Sequence, residues 1–219
     1  MIKAVLFDHD GTLVDSERAH YDMWSAILKK YRKKLSFDEY SQRYAGIPTN
    51  SNAEVVIRDY ALSVSPIELV RQKNKLTEDY LSQQAFPLMA YALESILFFY
   101  EAGIKIGIVT GAGRSGVEAT LRENDLSDYI ENVVSGDDVE YSKPDPDCYL
   151  LAVEKLGVTS DVCVAIEDTK NGVASSVSAN IDCIAVPSLG FEAQGFEKAN
   201  YICEDLKQAK QLIVDKYQL

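Results

Sequence analysis

The fold is decided by a short stretch near the start of the chain, residues 3–12, which reads KAVLFDHDGT. Its apolar run predicts a buried β-strand that leads directly into two carboxylates, Asp8 and Asp10, and a glycine. Side chains two positions apart on a strand point to the same side, so both carboxylates would share one pocket. Asp-x-Asp-Gly is also an ordinary turn signal. A site is favoured because ligands of open α/β sheets bind beyond the carboxyl ends of strands.

Length and composition describe a globular protein with a strong negative charge. The chain has 219 residues, enough for one large domain or for a core domain that carries a smaller insert. Hydrophobic residues make up 47% and charged residues 26%, a balance typical of a soluble folded chain. The net charge of -12 repels phosphate backbones and anionic lipids. We therefore expect neither nucleic acid nor a membrane as a partner.

The cysteines and the hydropathy of the chain bear on its location. The four cysteines are about 20 residues apart and form no Cys-x-x-Cys pair, which predicts buried thiols and neither a zinc site nor a disulfide framework. No segment approaches the roughly 18 consecutive apolar residues of a membrane span. Residues 1–14 are too short and too acidic for a signal peptide. These features predict a cytoplasmic protein in a reducing compartment.

Apolar runs recur along the chain and predict strands that alternate with helices. The expected strands are at 4–7, 104–109, 133–134, 162–166 and 183–186. This alternation predicts an α/β fold with a parallel sheet covered on both faces. About 100 residues separate the first two strands, far more than an ordinary crossover, so an insert is expected between them.

The pattern of the insert is helical. One helical face collects four of its residues, which are His20, Trp24, Ile27 and Tyr31. Ser36 and Ser65 each begin a segment with capping-box spacing, and a proline follows the second. Proline at position 87 disfavours helix for the residue before it, which suits a return crossing. We expect an all-helical domain over residues 15–85, inserted into a core domain formed by residues 1–14 and 86–219.

Polar residues that suit a phosphate also follow two later apolar segments. Thr110 and Gly111 offer a hydroxyl and a flexible backbone whose N–H groups can approach an anion. Lys143 precedes a proline-started helix, for which Asp145 is the expected N-cap. Taken alone, a threonine at a strand end or a surface lysine is ordinary. The signal is therefore their accumulation at strand ends.

The strand at 162–166 ends in two adjacent carboxylates, Glu167 and Asp168, where unpaired charge is costly. A hard cation would relieve that cost. Mg²⁺ prefers oxygen ligands, usually one or two carboxylates together with waters and substrate phosphate. Asp8, Asp168 and the backbone carbonyl of Asp10 would suffice as its protein ligands.

The order of these residues resembles the four motifs of the haloacid dehalogenase-like hydrolase superfamily. The matching segments are Asp8-His9-Asp10-Gly11-Thr12, Thr110, Lys143-Pro144 and Glu167-Asp168. The resemblance spans the whole chain. A helical insert directly after the first motif is similar to the cap of the subgroup that contains β-phosphoglucomutase and phosphoglycolate phosphatase. The resemblance implies a Rossmann-like parallel sheet with residues 15–85 as the helical cap.

The resemblance also implies a Mg²⁺-dependent phosphatase that forms an aspartyl phosphate. Asp8 would be the nucleophile, and Asp10 would protonate the leaving oxygen and later take a proton from water. Thr110 and Lys143 would complete the catalytic residues, and Gly111 would help to bind the phosphoryl oxygens. The implied metal ligands are Asp8, Asp10, Glu167 and Asp168. The substrate would be a small phosphate ester.

Residues 111–116, which read GAGRSG, form a competing signal. Gly-x-Gly-x-x-Gly between a strand and a helix is the pattern of dinucleotide binding. A nicotinamide enzyme also needs an acidic residue at the end of the next strand, whereas Glu131 falls before that strand and Asp137 just after it. An oxidoreductase would leave the paired carboxylates unexplained and is the remote alternative. A non-catalytic binding module is disfavoured because all the expected catalytic side chains are present.

The insert leaves phosphatase and phosphomutase open. Residues 46–50 resemble the specificity loop of the subgroup, where the mutases carry an arginine for a second phosphate. No Arg or Lys occurs at residues 46–57. A second phosphate would lose a charge-assisted hydrogen bond worth about 1.5–3 kcal/mol, which favours a substrate with one phosphate. Thr12 stands where the mutases more often have valine.

Other residues of the insert point towards a mutase. His20 and Trp24 match a His and a Trp in the cap helix of the mutases, and Lys73-Asn74 resembles their Lys-Asn pair. His20 also fits simple packing beside Trp24. The expected substrate-binding residues of the insert are His20, Gly46, Thr49 and Lys73. We predict a phosphatase for a sugar phosphate, with the oligomeric state open and a monomer compatible with the sequence.

Overall fold

The computed structural model describes residues 1–188 and 195–219. The chain divides into two compact units. The core unit consists of Met1–Asp15 and Pro87–Leu219, and the helical unit of Ser16–Phe86. The boundaries expected from the sequence for the insert, 15 and 85, lie one residue from those of the helical unit.

Helices and strands alternate in the core unit, and helices alone form the regular structure of the other unit. In chain order the elements are β1 (Ala4–Phe7), α1 (Glu17–Lys30), α2 (Phe37–Arg43), α3 (Thr49–Tyr60), α4 (Pro66–Leu81), α5 (Ala92–Glu101), β2 (Lys105–Val109), α6 (Arg114–Glu123), β3 (Asn132–Val134), α7 (Asp147–Leu156), β4 (Cys163–Glu167), α8 (Lys170–Ser178), β5 (Asp182–Ala185), β6 (Tyr201–Ile202) and α9 (Leu206–Tyr217).

The sheet of the core unit has the order β3-β2-β1-β4-β5-β6, and all of its pairings are parallel. The first strand is central, with Ala4 paired to Lys105 of β2 and to Cys163 of β4. Its side chains are fully buried, as a parallel strand covered by helices on both faces requires. The predicted α/β fold with a parallel sheet is therefore confirmed.

All five predicted strands are present, and each end lies within one residue of its predicted position. The sixth strand, β6, was missed because both of its residues are exposed and give no apolar run. One predicted cap is wrong: α7 begins at Asp147 with Pro146 at the N-cap position. Asp145 belongs instead to the preceding turn, where its N–H donates to the Ser142 carbonyl.

The chain leaves and re-enters the core unit through a short stem. Asp15 N donates to the Pro87 carbonyl at 2.8 Å, and Met89 N donates to the Leu13 carbonyl at 2.8 Å. An antiparallel bridge between Val14 and Leu88 lies between these bonds. The two passages of the chain are thus fastened to each other directly after the central strand.

The helical unit has its own apolar core. Trp24, Ile27 and Leu28 of α1 are buried in a cluster with residues of α2, α3 and α4. Ser36 and Ser65 accept hydrogen bonds from the N–H groups of Glu39 and Glu68, so both predicted N-caps are present. The Glu39 carboxylate accepts from the Tyr60 hydroxyl at 2.8 Å.

The four cysteines are buried and unbridged, as predicted. None of the described helices is both long enough and apolar enough to cross a membrane.

Candidate active site

Predicted site residues lie at the ends of three neighbouring strands, at the carboxyl edge of the sheet. Asp8 follows β1, Thr110 follows β2, and Glu167 is the last residue of β4. Since β1 lies between β2 and β4, these residues come to one place although the chain separates them widely. The edge is the one at which ligands of open α/β sheets bind.

Lys143 connects the members of this site. Its Nζ donates to Asp8 Oδ1 at 2.6 Å, to Glu167 Oε1 at 2.6 Å and to the Val109 carbonyl at 2.7 Å. The lysine side chain is 6% exposed, so its charge is paired within the protein. Asp8, Lys143, Glu167 and Asp168 are called the charged cluster below.

Burial and mutual repulsion control the ionisation of the charged cluster. Burial, reinforced by the Asp8 charge, raises the pKa of Glu167 to about 7, against the opposing effect of Lys143. Burial likewise raises the pKa of Asp8, and burial with the charges of Asp8 and Glu167 raises that of Asp168. Burial alone would lower the pKa of Lys143, but Asp8 and Glu167 outweigh it and raise the pKa. The lysine therefore stays charged.

The carboxylates of the charged cluster fit a divalent cation. Asp8, Glu167 and Asp168 each offer an oxygen, and these oxygens lie within 4.8 Å of one another. Glu167 Oε2 and Asp168 Oδ1 are buried without a hydrogen-bond partner. Three carboxylates against one ammonium leave two units of negative charge, which a hard divalent cation with oxygen ligands would balance.

Small residues make room for these carboxylates. Gly11 has a φ of +86°, and a Cβ at this position would overlap the Asp168 carboxylate. A Cβ on Gly172, in the first turn of α8, would overlap the Glu167 carboxylate. Ser188 Oγ donates to Asp168 Oδ2 at 2.9 Å and leaves the other oxygen to the site.

Tyr149 is a member of the site that the sequence did not indicate. It is fully buried in α7, and its hydroxyl donates to Glu167 Oε1 at 2.6 Å. Burial raises its pKa far above the usual range, so the hydroxyl keeps its proton. Lys143 Nζ lies 5.1 Å from the centre of its ring. Two signals in the sequence could have indicated Tyr149. It lies in the helix that follows Lys143, and its hydroxyl needs a hydrogen-bond partner when the ring is buried.

Asp10 lies at the exposed side of the site. Its Oδ2 is 3.1 Å from His9 Nδ1 and accepts from Thr110 Oγ1 at 3.5 Å. Thr110 is 1% exposed and accepts from Ala112 N at 3.0 Å. The Asp10 side chain is thus directed to His9 and Thr110, and its contribution to a metal through the backbone carbonyl stays a prediction.

Gly111 lies beside the charged cluster, and the rest of its glycine pattern has a different partner. A Cβ on Gly111 would lie 3.7 Å from Lys143 Cδ. At the start of α6, Arg114 N donates to Asp137 Oδ2 at 3.1 Å, and the Arg114 side chain binds Asp138 at 2.6 Å. Carboxylates therefore occupy the helix end where a dinucleotide would place its pyrophosphate, which argues against the oxidoreductase.

The helical unit contains the other predicted substrate-binding residues. Lys73 is 2% exposed, and its Nζ is 3.1 Å from His20 Nδ1 and donates to Thr77 Oγ1 at 3.0 Å. The structure thus brings His20 and Lys73 together. The His20 and Phe86 rings also pack in a T-shaped arrangement, with ring centres 5.3 Å apart.

Gly46 and Thr49 belong to the connection between α2 and α3. Gly46 has a φ of +68°, and its N–H donates to Glu17 Oε1 at 3.0 Å. Asn52 Nδ2 donates to the carbonyls of Tyr44 at 2.7 Å and Ile47 at 3.1 Å. These bonds fix the Tyr44–Pro48 loop, and Thr49 begins α3 directly after it.

Comparisons with known proteins agree with this geometry. A phosphorylated carbohydrates phosphatase of Thermotoga maritima is 29% identical over 187 residues, which cover 84% of each chain. Hexitol phosphatase B of Escherichia coli is 32% identical over 202 residues, which cover 85% of this chain and 84% of the relative. A crystal structure of β-phosphoglucomutase from Clostridium difficile has a TM-score of 0.79 at 21% identity, a likeness of fold, and covers 100% of this chain and 98% of its own.

A protein-family model also matches the chain, over a range that contains the predicted motifs. The model, described as haloacid dehalogenase-like hydrolase, matches residues 5–186. The matched residues include the two aspartates that follow β1, the lysine before α7 and the two carboxylates at the end of β4. The chain belongs to the haloacid dehalogenase-like hydrolase family.

Proposed function

We propose that this chain is a Mg²⁺-dependent phosphatase that hydrolyses a sugar monophosphate through an aspartyl phosphate. The observation that carries the proposal is the contact of Lys143 Nζ with Asp8 and Glu167, at 2.6 Å each, beside the carboxylate of Asp168. The proposed nucleophile, a buried positive charge and the proposed metal ligands lie at one edge of the sheet, which supports the proposal. The chain is a phosphoric monoester hydrolase.

The first step transfers the phosphoryl group to the chain. A carboxylate oxygen of Asp8 forms a bond to phosphorus, and the bond from phosphorus to the leaving oxygen breaks with its electron pair going to that oxygen. Asp10 gives its proton to the leaving oxygen, so the alcohol departs neutral. Lys143, Thr110 and the N–H of Gly111 stabilise the phosphoryl oxygens.

The second step releases phosphate. A water molecule forms a bond to phosphorus and gives a proton to the Asp10 carboxylate, while the bond from phosphorus to the Asp8 oxygen breaks. Asp8 is then a carboxylate again and Asp10 is protonated for the next turnover. Division into two displacements replaces one difficult barrier by two lower ones.

The metal ligands proposed for this chain are Asp8, Asp168 and the backbone carbonyl of Asp10, with Glu167 beside them. When bound, Mg²⁺ would balance the negative charge of the cluster and of the phosphoryl oxygens. The buried oxygens of Glu167 and Asp168 that have no hydrogen-bond partner support this assignment.

A sugar monophosphate is supported by the names of two relatives and by the absence of basic residues from one segment of the helical unit. The two curated relatives are named for phosphorylated carbohydrates and for hexitols. We assign substrate selection to residues 15–85, with Gly46, Thr49, His20 and Lys73 as the binding residues, and chemistry to the remaining core. Residues 46–57 contain no Arg or Lys for a second phosphate, which favours a monophosphate.

A phosphomutase is the second candidate. The fold likeness to β-phosphoglucomutase and the contact of Lys73 with His20 favour it. A mutase must hold a second phosphate, however, and the basic side chain expected for that purpose is missing from residues 46–57.

The buried, unbridged cysteines suit a reducing compartment, so we place the enzyme in the cytoplasm.

The proposal is tested by phosphate release from a panel of metabolites. The panel contains hexose, pentose and hexitol monophosphates, sugar bisphosphates and β-glucose 1-phosphate, each with Mg²⁺ and with EDTA. We expect release from a sugar monophosphate, its loss in EDTA and its recovery with added Mg²⁺. Conversion of β-glucose 1-phosphate to glucose 6-phosphate without net release would overturn the phosphatase in favour of the mutase.

A further inference from the structure

A buried histidine lies between the two aspartates of the first motif. His9 is 1% exposed, and its ring is held at both edges. Nδ1 lies 3.1 Å from Asp10 Oδ2, and Nε2 lies 3.0 Å from Thr120 Oγ1. The same Thr120 oxygen is 3.1 Å from the Gly116 carbonyl, one turn earlier in α6. The single hydroxyl proton of Thr120 can go to the Gly116 carbonyl or to Nε2, and donation to Nε2 places the ring proton on Nδ1, which faces Asp10 Oδ2.

The contact with His9 involves one oxygen of the Asp10 carboxyl group. The Asp10 side chain is 27% exposed. Its Oδ2 contacts both His9 Nδ1 and, at 3.5 Å, the Thr110 hydroxyl. With Oδ2 on the protein side, Oδ1 is the oxygen through which Asp10 can exchange a proton with the reactants.

We propose that His9 is a positioning residue for proton transfer by Asp10. Nδ1–H donates to Oδ2, the transferable proton sits on Oδ1, and Thr120 keeps the imidazole in the plane that makes this possible. The inference rests on the proposed function and assigns a task to a side chain that the reaction scheme above leaves unused.

The positioning acts on the first step. As the bond from phosphorus to the leaving oxygen breaks, the Asp10 Oδ1 proton moves to that oxygen. Loss of the His9 contact should shift the Asp10 carboxyl group, and a misplacement of about 1 Å costs as much as 10²-fold in rate. The loss should fall on esters whose leaving oxygen needs the proton, and spare esters that leave as stable anions.

That difference separates positioning from damage to the fold. His9→Phe removes the contact with Asp10. Thr120→Val removes the hydroxyl that contacts His9 Nε2 and leaves Asp10 and His9 themselves unchanged. For each variant, kcat/KM is measured with the best sugar monophosphate of the panel and with p-nitrophenyl phosphate, whose phenolate leaves without a proton. Thermal unfolding of each variant is measured in parallel.

We expect kcat/KM for the sugar ester to fall about 10- to 100-fold, which reaches at most the lower end of the roughly 10²- to 10⁴-fold contribution of general acid catalysis. The value for p-nitrophenyl phosphate should fall less than about threefold. Thr120→Ser keeps the hydroxyl and should restore the wild-type ratio between the two esters. An equal loss with both esters, or no loss with either, would overturn the role of His9 while leaving the phosphatase intact. Absence of phosphate release by the wild-type chain would instead overturn the proposed function itself.

Discussion

The charged cluster of the core unit and the Tyr44–Pro48 loop of the helical unit are both fixed by hydrogen bonds, but of different kinds. In the charged cluster, ionisable side chains hold one another, with Lys143 at 2.6 Å from two carboxylates. In the loop, the backbone is held by side chains from elsewhere: Glu17 accepts from Gly46 N, and Asn52 donates to two carbonyls. The hydrogen bonds of the cluster therefore hold charged side chains in place, whereas those of the loop hold the backbone conformation.

The difference predicts separate consequences for mutation. A change in the charged cluster alters the reacting groups or the buried charges around them, so the chemical step should respond. A change at the loop moves backbone atoms that carry no charge, so substrate binding should respond while the chemical step is spared. The four experiments below test this separation, beginning with the largest expected effect.

Asp8→Asn removes the nucleophile from the charged cluster and keeps its shape. We expect phosphate release to fall by about 10⁴-fold or more, because the amide cannot form the aspartyl phosphate. The melting temperature should be retained, since the variant also removes a buried charge. Asp15→Asn, at an exposed aspartate of the stem, is the matched control and should stay fully active. Substantial activity in Asp8→Asn would contradict the assignment of the nucleophile.

Tyr149→Phe removes one of the two donors to Glu167 Oε1 and keeps the ring. We expect kcat to fall about three- to tenfold and the free energy of unfolding to fall by about 1–2 kcal/mol, since one buried hydrogen bond is lost. Activity assays and urea unfolding measure both effects. Tyr100→Phe, at a half-exposed tyrosine of α5, is the control. A fall in stability with kcat unchanged would limit Tyr149 to a structural role.

Asn52→Leu tests the loop without altering charge. Asn52 is 2% exposed, and leucine keeps the branching of the side chain but removes the amide donor to the carbonyls of Tyr44 and Ile47. We expect KM for the sugar phosphate to rise about three- to tenfold with kcat within about a factor of two of wild type, as for loss of uniform binding. A fall in kcat with KM unchanged would break the proposed separation between cluster and loop.

Removal of metal should make stability depend on pH. The folded state raises the pKa of Glu167 from 4.5 to about 7, so between these values the unfolded chain gives up a proton that the folded chain retains. The free energy of unfolding in EDTA should therefore be lower at about pH 7.5 than at about pH 5. Mg²⁺ should raise the urea midpoint mainly at the higher pH. Glu167→Gln should weaken this dependence, and an unchanged dependence in that variant would assign it to other groups.

The sheet and the charged cluster could be predicted because both follow from local rules. An apolar run that ends in a carboxylate predicts a strand and the residue at its end, and parallel strands bring such ends to one edge. Asp8 and Glu167 follow this rule, and the structure places them together with Lys143. The glycine pattern at 111–116 follows a local rule as well, but its competing partner, Asp137, is distant in sequence.

The features that sequence reasoning missed depend on contacts between distant residues. Tyr149 matters because Glu167, 18 residues later, has an oxygen within reach of its hydroxyl. His9 matters because Thr120, 111 residues later, meets its ring. The exposed strand β6 forms by pairing with β5, and no apolar run in the sequence predicts it. The prediction of Asp145 as an N-cap is wrong because Pro146 itself takes the N-cap position and α7 begins one residue later.

The central position of β1 has a consequence for folding. Ala4 pairs with Lys105 on one side and Cys163 on the other, so the first strand to be made has no neighbour in the sheet until about half of the chain has followed. Closure of so long a loop costs conformational entropy, although the cost rises only with the logarithm of loop length. Prior folding of Ser16–Phe86, whose contacts are local, would shorten the flexible part of that loop and speed the pairing.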